Sequence, residues 1–107
     1  MRVIARRTLR DFVESLGGQK SQPAVKAVLD AWYAEVSKAA WLTSADVKRR
    51  YQTASIVSRE RIVFNIKSND YRLVVAVDFD KSIVWIKWIG SHTAYDKIDV
   101  AEIDYDA

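Results

Sequence analysis

The chain contains one imidazole, His92, within the run Gly90-Ser91-His92-Thr93-Ala94-Tyr95-Asp96-Lys97. Imidazole is the side chain whose ordinary pKa, about 6.5, falls near neutrality, so His92 is the natural candidate for moving a proton. Thr93 and Asp96 have capping-box spacing, which predicts a short final helix beginning there. His92 then stands just before a helix N-terminus, where unpaired N–H groups and the helix dipole favour an anion, and Tyr95 lies in the first turn. The strand pattern set out below brings three bases toward this point: Lys67, Arg72 and Lys87. Like charges facing one another across a sheet cost stability. The cluster therefore calls either for a bound polyanion or for strand ends at which long side chains splay into water. An isolated histidine is most simply a surface or capping residue, and its nearness to Arg72 and Lys87 is the argument for more.

Other chemistries find no support. With a single His, a paired-histidine ribonuclease mechanism is excluded, and the acids are scattered, with no His/Asp/Glu set at metal-ligand spacing. No Gly-rich phosphate loop occurs; Gly17-Gly18 reads as a helix stop.

The elements that position these residues are read from hydrophobic period. Residues 2–5 could form an edge strand. Thr8 and Asp11 suggest the start of a first helix, with Leu9, Phe12, Val13 and Leu16 on one face. A second helix begins at Ser21 as N-cap with Pro23 in its first turn, and buries Val25, Val28, Leu29, Trp32 and Val36. A third runs from Ser44 as N-cap to Tyr51 and carries Lys48, Arg49 and Arg50, while Trp41 and Leu42 plug the core. From Arg59 the period changes to two, and Arg59–Lys67, Tyr71–Phe79 and Ile83–Ile89 read as strands joined by turn sequences.

Pairing Lys67 with Arg72 and Asp78 with Ile83 makes one face continuously apolar. It sets Arg61 opposite Asp78 and Leu73 opposite Trp88, reading Trp32, Trp41 and Trp88 as core and leaving Trp85 on the other face for an RNA, a partner protein, the acidic tail or simply a packing loop to cover. The expected fold is α+β: two or three N-terminal helices on one face of an antiparallel β-meander, with a short C-terminal helix.

These elements belong to a chain of 107 residues, half of them hydrophobic and 29% charged, which predicts one folded domain spanning 1–107. There is no Cys, so disulfide scaffolds and thiolate zinc sites are excluded and a reducing cytoplasm suits the chain. The apolar runs are far shorter than the roughly 20 residues that cross a bilayer. The basic segment Met1–Arg7 leads into no apolar stretch, so it is not a signal peptide and no membrane association is expected. The net charge of +3 is uneven. Residues 96–107 hold five acids and one base, and the remaining 95 residues hold sixteen bases and nine acids, an excess of seven. A basic body with an acidic ending suits an acidic partner, nucleic acid or protein.

Three segments carry a resemblance to a known family: Val63-Phe64-Asn65-Ile66, Asn69-Asp70-Tyr71-Arg72-Leu73-Val74, and Ile89 through Asp99. Together they resemble the HigB-type toxins of type II toxin–antitoxin modules, members of the RelE superfamily of messenger-RNA interferases, and the likeness extends over nearly the whole chain. Ser91 stands where family members often have Thr, which keeps the hydroxyl. The resemblance implies a RelE-like fold and an endoribonuclease that cuts messenger RNA on the translating ribosome. It further implies that no metal or other cofactor is needed, and that a separately encoded antitoxin with a helix-turn-helix domain neutralises the protein. Its working residues would be Asn65, Lys67, Arg72, His92, Tyr95 and Lys97.

The residue types suit that chemistry. In metal-free cleavage the substrate 2′-OH attacks phosphorus, a base takes its proton, cations steady the phosphorane and an acid protonates the departing 5′ oxygen. Arg72 offers a planar fork for two phosphate oxygens, and Lys67 and Lys87 offer point charges. His92 takes the acid–base part, with Tyr95 as its partner or as a ring on which a base stacks. Lys48, Arg49, Arg50, Arg6, Arg7 and Arg10 are candidates for ribosomal RNA phosphates. Two other readings use the same face: a non-catalytic nucleic-acid-binding module, and a protein-interaction domain.

Overall fold

The computed structural model describes residues 1–103. Element order is β1 (Arg2–Ile4), α1 (Arg6–Ser15), α2 (Gln22–Lys38), α3 (Ser44–Arg50), β2 (Ser55–Ile56), β3 (Arg61–Ile66), β4 (Tyr71–Asp78), β5 (Ile83–Ser91) and α4 (His92–Tyr95). The class is α+β, as the change of period predicts. Helix α2 buries Val25, Leu29, Trp32 and Val36, the stripe expected from its spacing, with Val28 half-buried. Ser21 is its N-cap, but the hydroxyl makes no cap bond and instead meets the Tyr71 phenol at 3.3 Å. Helix α1 starts at Arg6 rather than Thr8. Thr8 lies buried beside Leu9 inside the helix, because the inward face begins before the capping sequence does. Helix α3 is capped by Thr43 rather than Ser44, in a capping box with Asp46. The Leu42 and Thr43 N–H groups that bind the Asp46 carboxylate outweigh its partial desolvation and hold it below the usual carboxylate range.

The sheet departs from a three-stranded meander. It has five strands in the order β1-β5-β4-β3-β2 and is mixed, because β1 lies parallel to β5 at one edge while β2 adds an antiparallel strand at the other. Its first face carries Ile62, Phe64 and Ile66 of β3, Leu73, Val75 and Val77 of β4, and Val84, Ile86 and Ile89 of β5. These join Leu9 of α1, the α2 stripe and Val47 of α3 in one core. Phe64 is central to it, edge-to-face with Trp32 at 5.4 Å and with Tyr51 at 5.1 Å. Trp41 is buried as expected, whereas Leu42 is 75% exposed and plugs nothing.

Two features of register decide what the second face carries. First, β3 pairs with β4 as Ile66↔Tyr71, Asn65↔Arg72 and Phe64↔Leu73, two residues away from the expected alignment. Lys67 and Ser68 adopt positive φ (51° and 58°) and turn the chain one residue earlier, so Lys67 leaves the ladder. A two-residue shift preserves the faces, which is why the apolar pattern could not detect it. Arg61 consequently lies opposite Ala76, not Asp78, and its guanidinium donates to the Ile103 carbonyl at 2.6 Å.

Second, β4 and β5 pair as expected from Asp78↔Ile83 to Val75↔Ile86, then slip at Val74/Val75 through a β-bulge. Beyond the bulge Val74 faces Trp88, Leu73 faces Ile89 and Arg72 faces Gly90. Trp88 therefore moves off the core face, and Ile89 takes its place in the core. The sequence does carry a trace of this: core positions Val84 and Ile86 are two apart, but Ile86 and Ile89 are three apart.

The second face is not left open. Val63 and Val74 lie on it and are 3% and 0% exposed. Helix α4 packs against β4 and β5, and the chain returns as far as Ile103 above Arg61. Asp104 and Asp106 of the acidic ending, one candidate cover for Trp85, lie outside the described residues. Among the described residues, no helix is long and apolar enough to cross a membrane.

Candidate active site

At the end of the sheet where β5 runs into α4, the second face presents a cross-strand row of Asn65, Arg72 and Gly90. The next row inward is Val63, Val74 and Trp88, an apolar floor. A side chain at position 90 would collide with the Trp88 indole: a Cβ there would sit 2.5 Å from its Cη2 and 2.6 Å from its Cζ2. Glycine thus allows the indole to lie over position 90, and the indole meets the Tyr95 ring at a centroid distance of 6.3 Å. Replacing Gly90 with Ala is expected to push the indole out of this position at a cost of about 1–3 kcal/mol. The loss should show in thermal unfolding together with a shift of the Trp88 indole resonance. A melt and spectrum unchanged from the native protein would refute the packing.

The cap of helix α4 lies two residues earlier than the Thr93–Asp96 capping-box spacing suggests. Ser91 is its N-cap and accepts the Ala94 N–H at 3.1 Å, so His92 is the first residue of the helix rather than the residue before it. Its backbone N–H donates to the Asp70 carbonyl at 3.0 Å, which ties the start of α4 to the β3–β4 turn. His92 is exposed and Tyr95 half-buried. Ser91→Ala is expected to loosen this turn by roughly 1 kcal/mol, the usual value of an N-cap hydroxyl, while Ser91→Thr retains it. Amide exchange at Ala94 measures the difference, and equal exchange in the two variants would contradict the cap.

The charged residues fall into three groups. The Arg72 guanidinium is half-buried and donates to the Asn69 carbonyl at 2.8 Å and the Tyr71 carbonyl at 3.3 Å, bonds that tie it to the β3–β4 turn. Lys67 does not face Arg72. It sits in the turn with its ammonium 3.4 Å from the Asp70 carboxylate, a partly exposed pair of small energetic value. The expected like-charge contact is thereby avoided: Arg72 has the neutral Asn65 opposite it, whose amide lies 3.5 Å from the Thr53 carbonyl. Lys87 is the extra residue of the bulge, and Lys97 is exposed just past α4.

The α3 bases are elsewhere and engaged. Lys48 ties the end of the helix to the Gln52 and Ala54 carbonyls at 2.8 and 2.7 Å, and Arg49 pairs with Asp46 at 2.7 Å. Arg50 pairs with Glu35 and lies over the Tyr51 ring, whose phenol is pushed well above its ordinary range by burial and by the Glu35 carboxylate. On α1, Arg6 lies over the Tyr33 ring at 4.1 Å and Arg7 pairs loosely with Asp11.

The structure therefore brings Asn65, Arg72, His92 and Tyr95 to one end of the second face, with Lys67 and Lys97 at its margin. Sequence reasoning missed Trp88, Gly90 and Ser91 as parts of this site. The three-residue step from Ile86 to Ile89 was the available signal for Trp88, and the small residue before a turn was the signal for Gly90. Trp85 is half-buried and lies well away, against the β4–β5 turn. An arginine fork in the end row of the sheet, an imidazole at the first position of α4 and a phenol beside the Trp88 indole are the kinds of group that hold a phosphodiester and exchange protons with it.

Compared with known proteins, residues 25–98 match the model of the HigB toxin family, described as the RelE-like toxic component of a toxin-antitoxin system. The matched stretch begins inside α2 and includes every residue of the candidate site. No curated protein matches the chain.

Proposed function

The chain belongs to the HigB family of RelE-like toxins of toxin–antitoxin systems, and from that premise we propose that it is a ribosome-dependent messenger-RNA endonuclease. The observation that carries this reading is the Asn65–Arg72–Gly90 row ending at the His92 turn. A phosphodiester laid along that row meets Arg72 through two of its oxygens, so negative charge growing on the phosphorane is met by a donor already in position. The 2′-OH of the preceding nucleotide attacks phosphorus, the bond to the 5′ oxygen breaks, and a 2′,3′-cyclic phosphate and a 5′-hydroxyl result. His92 and Tyr95 divide the two proton transfers between them. The Trp88–Tyr95 pair gives an exposed base a surface on which to stack.

Asn65, Lys67, Lys87 and Lys97 contact the RNA around the cut, and Lys48, Arg49 and Arg50 contribute positive potential on another side of the molecule. With so few reacting groups, holding the RNA in place supplies much of the rate, an effect worth up to roughly 7–11 kcal/mol. A ribosome that fixes the message provides that positioning. Neutralisation falls to a separately encoded antitoxin.

The test is to map RNA 5′ ends after brief induction of the intact chain and of His92→Ala. New 5′-hydroxyl ends within translated messages, absent from the variant, are the expected result. The same ends from both chains, or from neither while growth still arrests, would overturn the catalytic reading in favour of a binding module.

A further inference from the structure

At the opposite end of the sheet, where β4 finishes and β5 begins, a cleft of about 630 Å³ opens between the start of α3 and the β4–β5 turn. Val77, Phe79 and Trp85 contribute apolar surface to it, and Glu60, Asp78 and Asp80 line it with a single base, Arg59. Residues 1–95 hold nine acids and sixteen bases, so this one cleft collects a third of the acids and only one of the bases. Asp78 is fixed in place by the Lys81 N–H at 3.0 Å. At the edge stands Leu42, 75% exposed and more open to water than any other large hydrophobic side chain among the described residues, although the neighbouring Trp41 is buried.

An acidic cleft repels RNA phosphates, so it does not continue the RNA track of the other end. Apolar surface ringed by carboxylates instead suits a protein segment that brings an aliphatic or aromatic anchor flanked by Lys or Arg. We infer that this cleft is the anchoring site for a basic, apolar-anchored segment of the antitoxin. The inference rests on the toxin–antitoxin pairing of the family and not on the cleavage chemistry. From Arg72 to Asp78 the strand advances six residues, about 20 Å. A segment docked here therefore grips the toxin away from the candidate active site and leaves Arg72 and His92 uncovered.

The triple variant Leu42→Ser, Glu60→Lys, Asp80→Lys tests this, since all three side chains are exposed and none belongs to the candidate site. The probe is the antitoxin purified with this chain, titrated against native and variant toxin at low and high salt. Native binding should weaken as salt rises. The variant should bind at least thirtyfold more weakly, with an affinity that no longer falls as salt rises because its lysines repel a basic segment, and should cut messages as the native chain does. An affinity within twofold of native overturns the inference. So does intact antitoxin binding accompanied by lost cleavage, which would assign the cleft to the ribosome. If native and variant chains both fail to cut messages while the variant loses the antitoxin, the nuclease reading falls and the docking site stands.

Discussion

Alanine in place of His92 is expected to lower messenger-RNA cleavage by about 10²–10⁴-fold, the usual contribution of a positioned acid–base group, with the fold retained. The expectation of an intact fold follows from what His92 contributes to the structure. Its side chain is exposed, and the bond that joins α4 to the β3–β4 turn runs from the backbone N–H to the Asp70 carbonyl, which alanine keeps. The cap of α4 belongs to Ser91. Single-turnover cleavage of a message on programmed ribosomes reads the effect. His92→Gln separates proton transfer from hydrogen bonding, because the amide donates and accepts but does not exchange a proton at neutral pH; it should be as inactive as alanine. Cleavage by either variant within tenfold of native would remove His92 from the mechanism.

Arg72→Ala is expected to cost a further large factor, about 10²–10³ in the cleavage step, the scale for removing one donor that stabilises transition-state charge. Unlike His92, Arg72 also holds its own hairpin, through the Asn69 and Tyr71 carbonyls. Alanine should therefore lower stability as well, by roughly 1 kcal/mol, the net value of such a bond. Arg72→Lys distinguishes the two contributions. It keeps the charge but loses the fork, so cleavage should recover only partly because a point charge cannot span two phosphate oxygens. Equal activity of the lysine variant and the native chain would show that only net charge matters at this position, and would remove the argument for a bidentate contact.

These predictions depend on a site that was partly legible beforehand. The α2 stripe, the change from helical to strand period, and the identity of the inward face were all readable, because each rests on local spacing that one amphipathic solution satisfies. His92 and Arg72 were readable as candidates for the same reason: side chains of those types outside the apolar pattern must lie on the other face or in turns. Asn65 was a candidate only through the family resemblance. Lys67 was misplaced because a two-residue slip keeps every apolar residue inward, and only the left-handed turn at Lys67–Ser68 distinguishes the alignments. Trp88 was misplaced because period two was carried through a bulge. Strand β1 was legible as an edge strand in residues 2–5 and forms as Arg2–Ile4 at one edge of the sheet, its parallel pairing with β5 aside. Strand β2, two residues long, is too short for a period and forms only because an existing sheet offers it an edge.

The linear chain thus determined the α+β class, the composition of the core face and the kinds of chemistry open to the second face, since burial of apolar side chains acts on every residue according to its type and spacing. Tertiary structure decided which of those side chains meet. It set Arg72 opposite Asn65 rather than Lys67, turned Trp88 out to lie beside Tyr95, began α4 at His92 and gathered three carboxylates into a cleft at the far end of the sheet. The physical reason is that register, bulge and turn conformation leave the apolar pattern nearly unchanged, so they are selected by the fit of the whole packed sheet and not by any one segment.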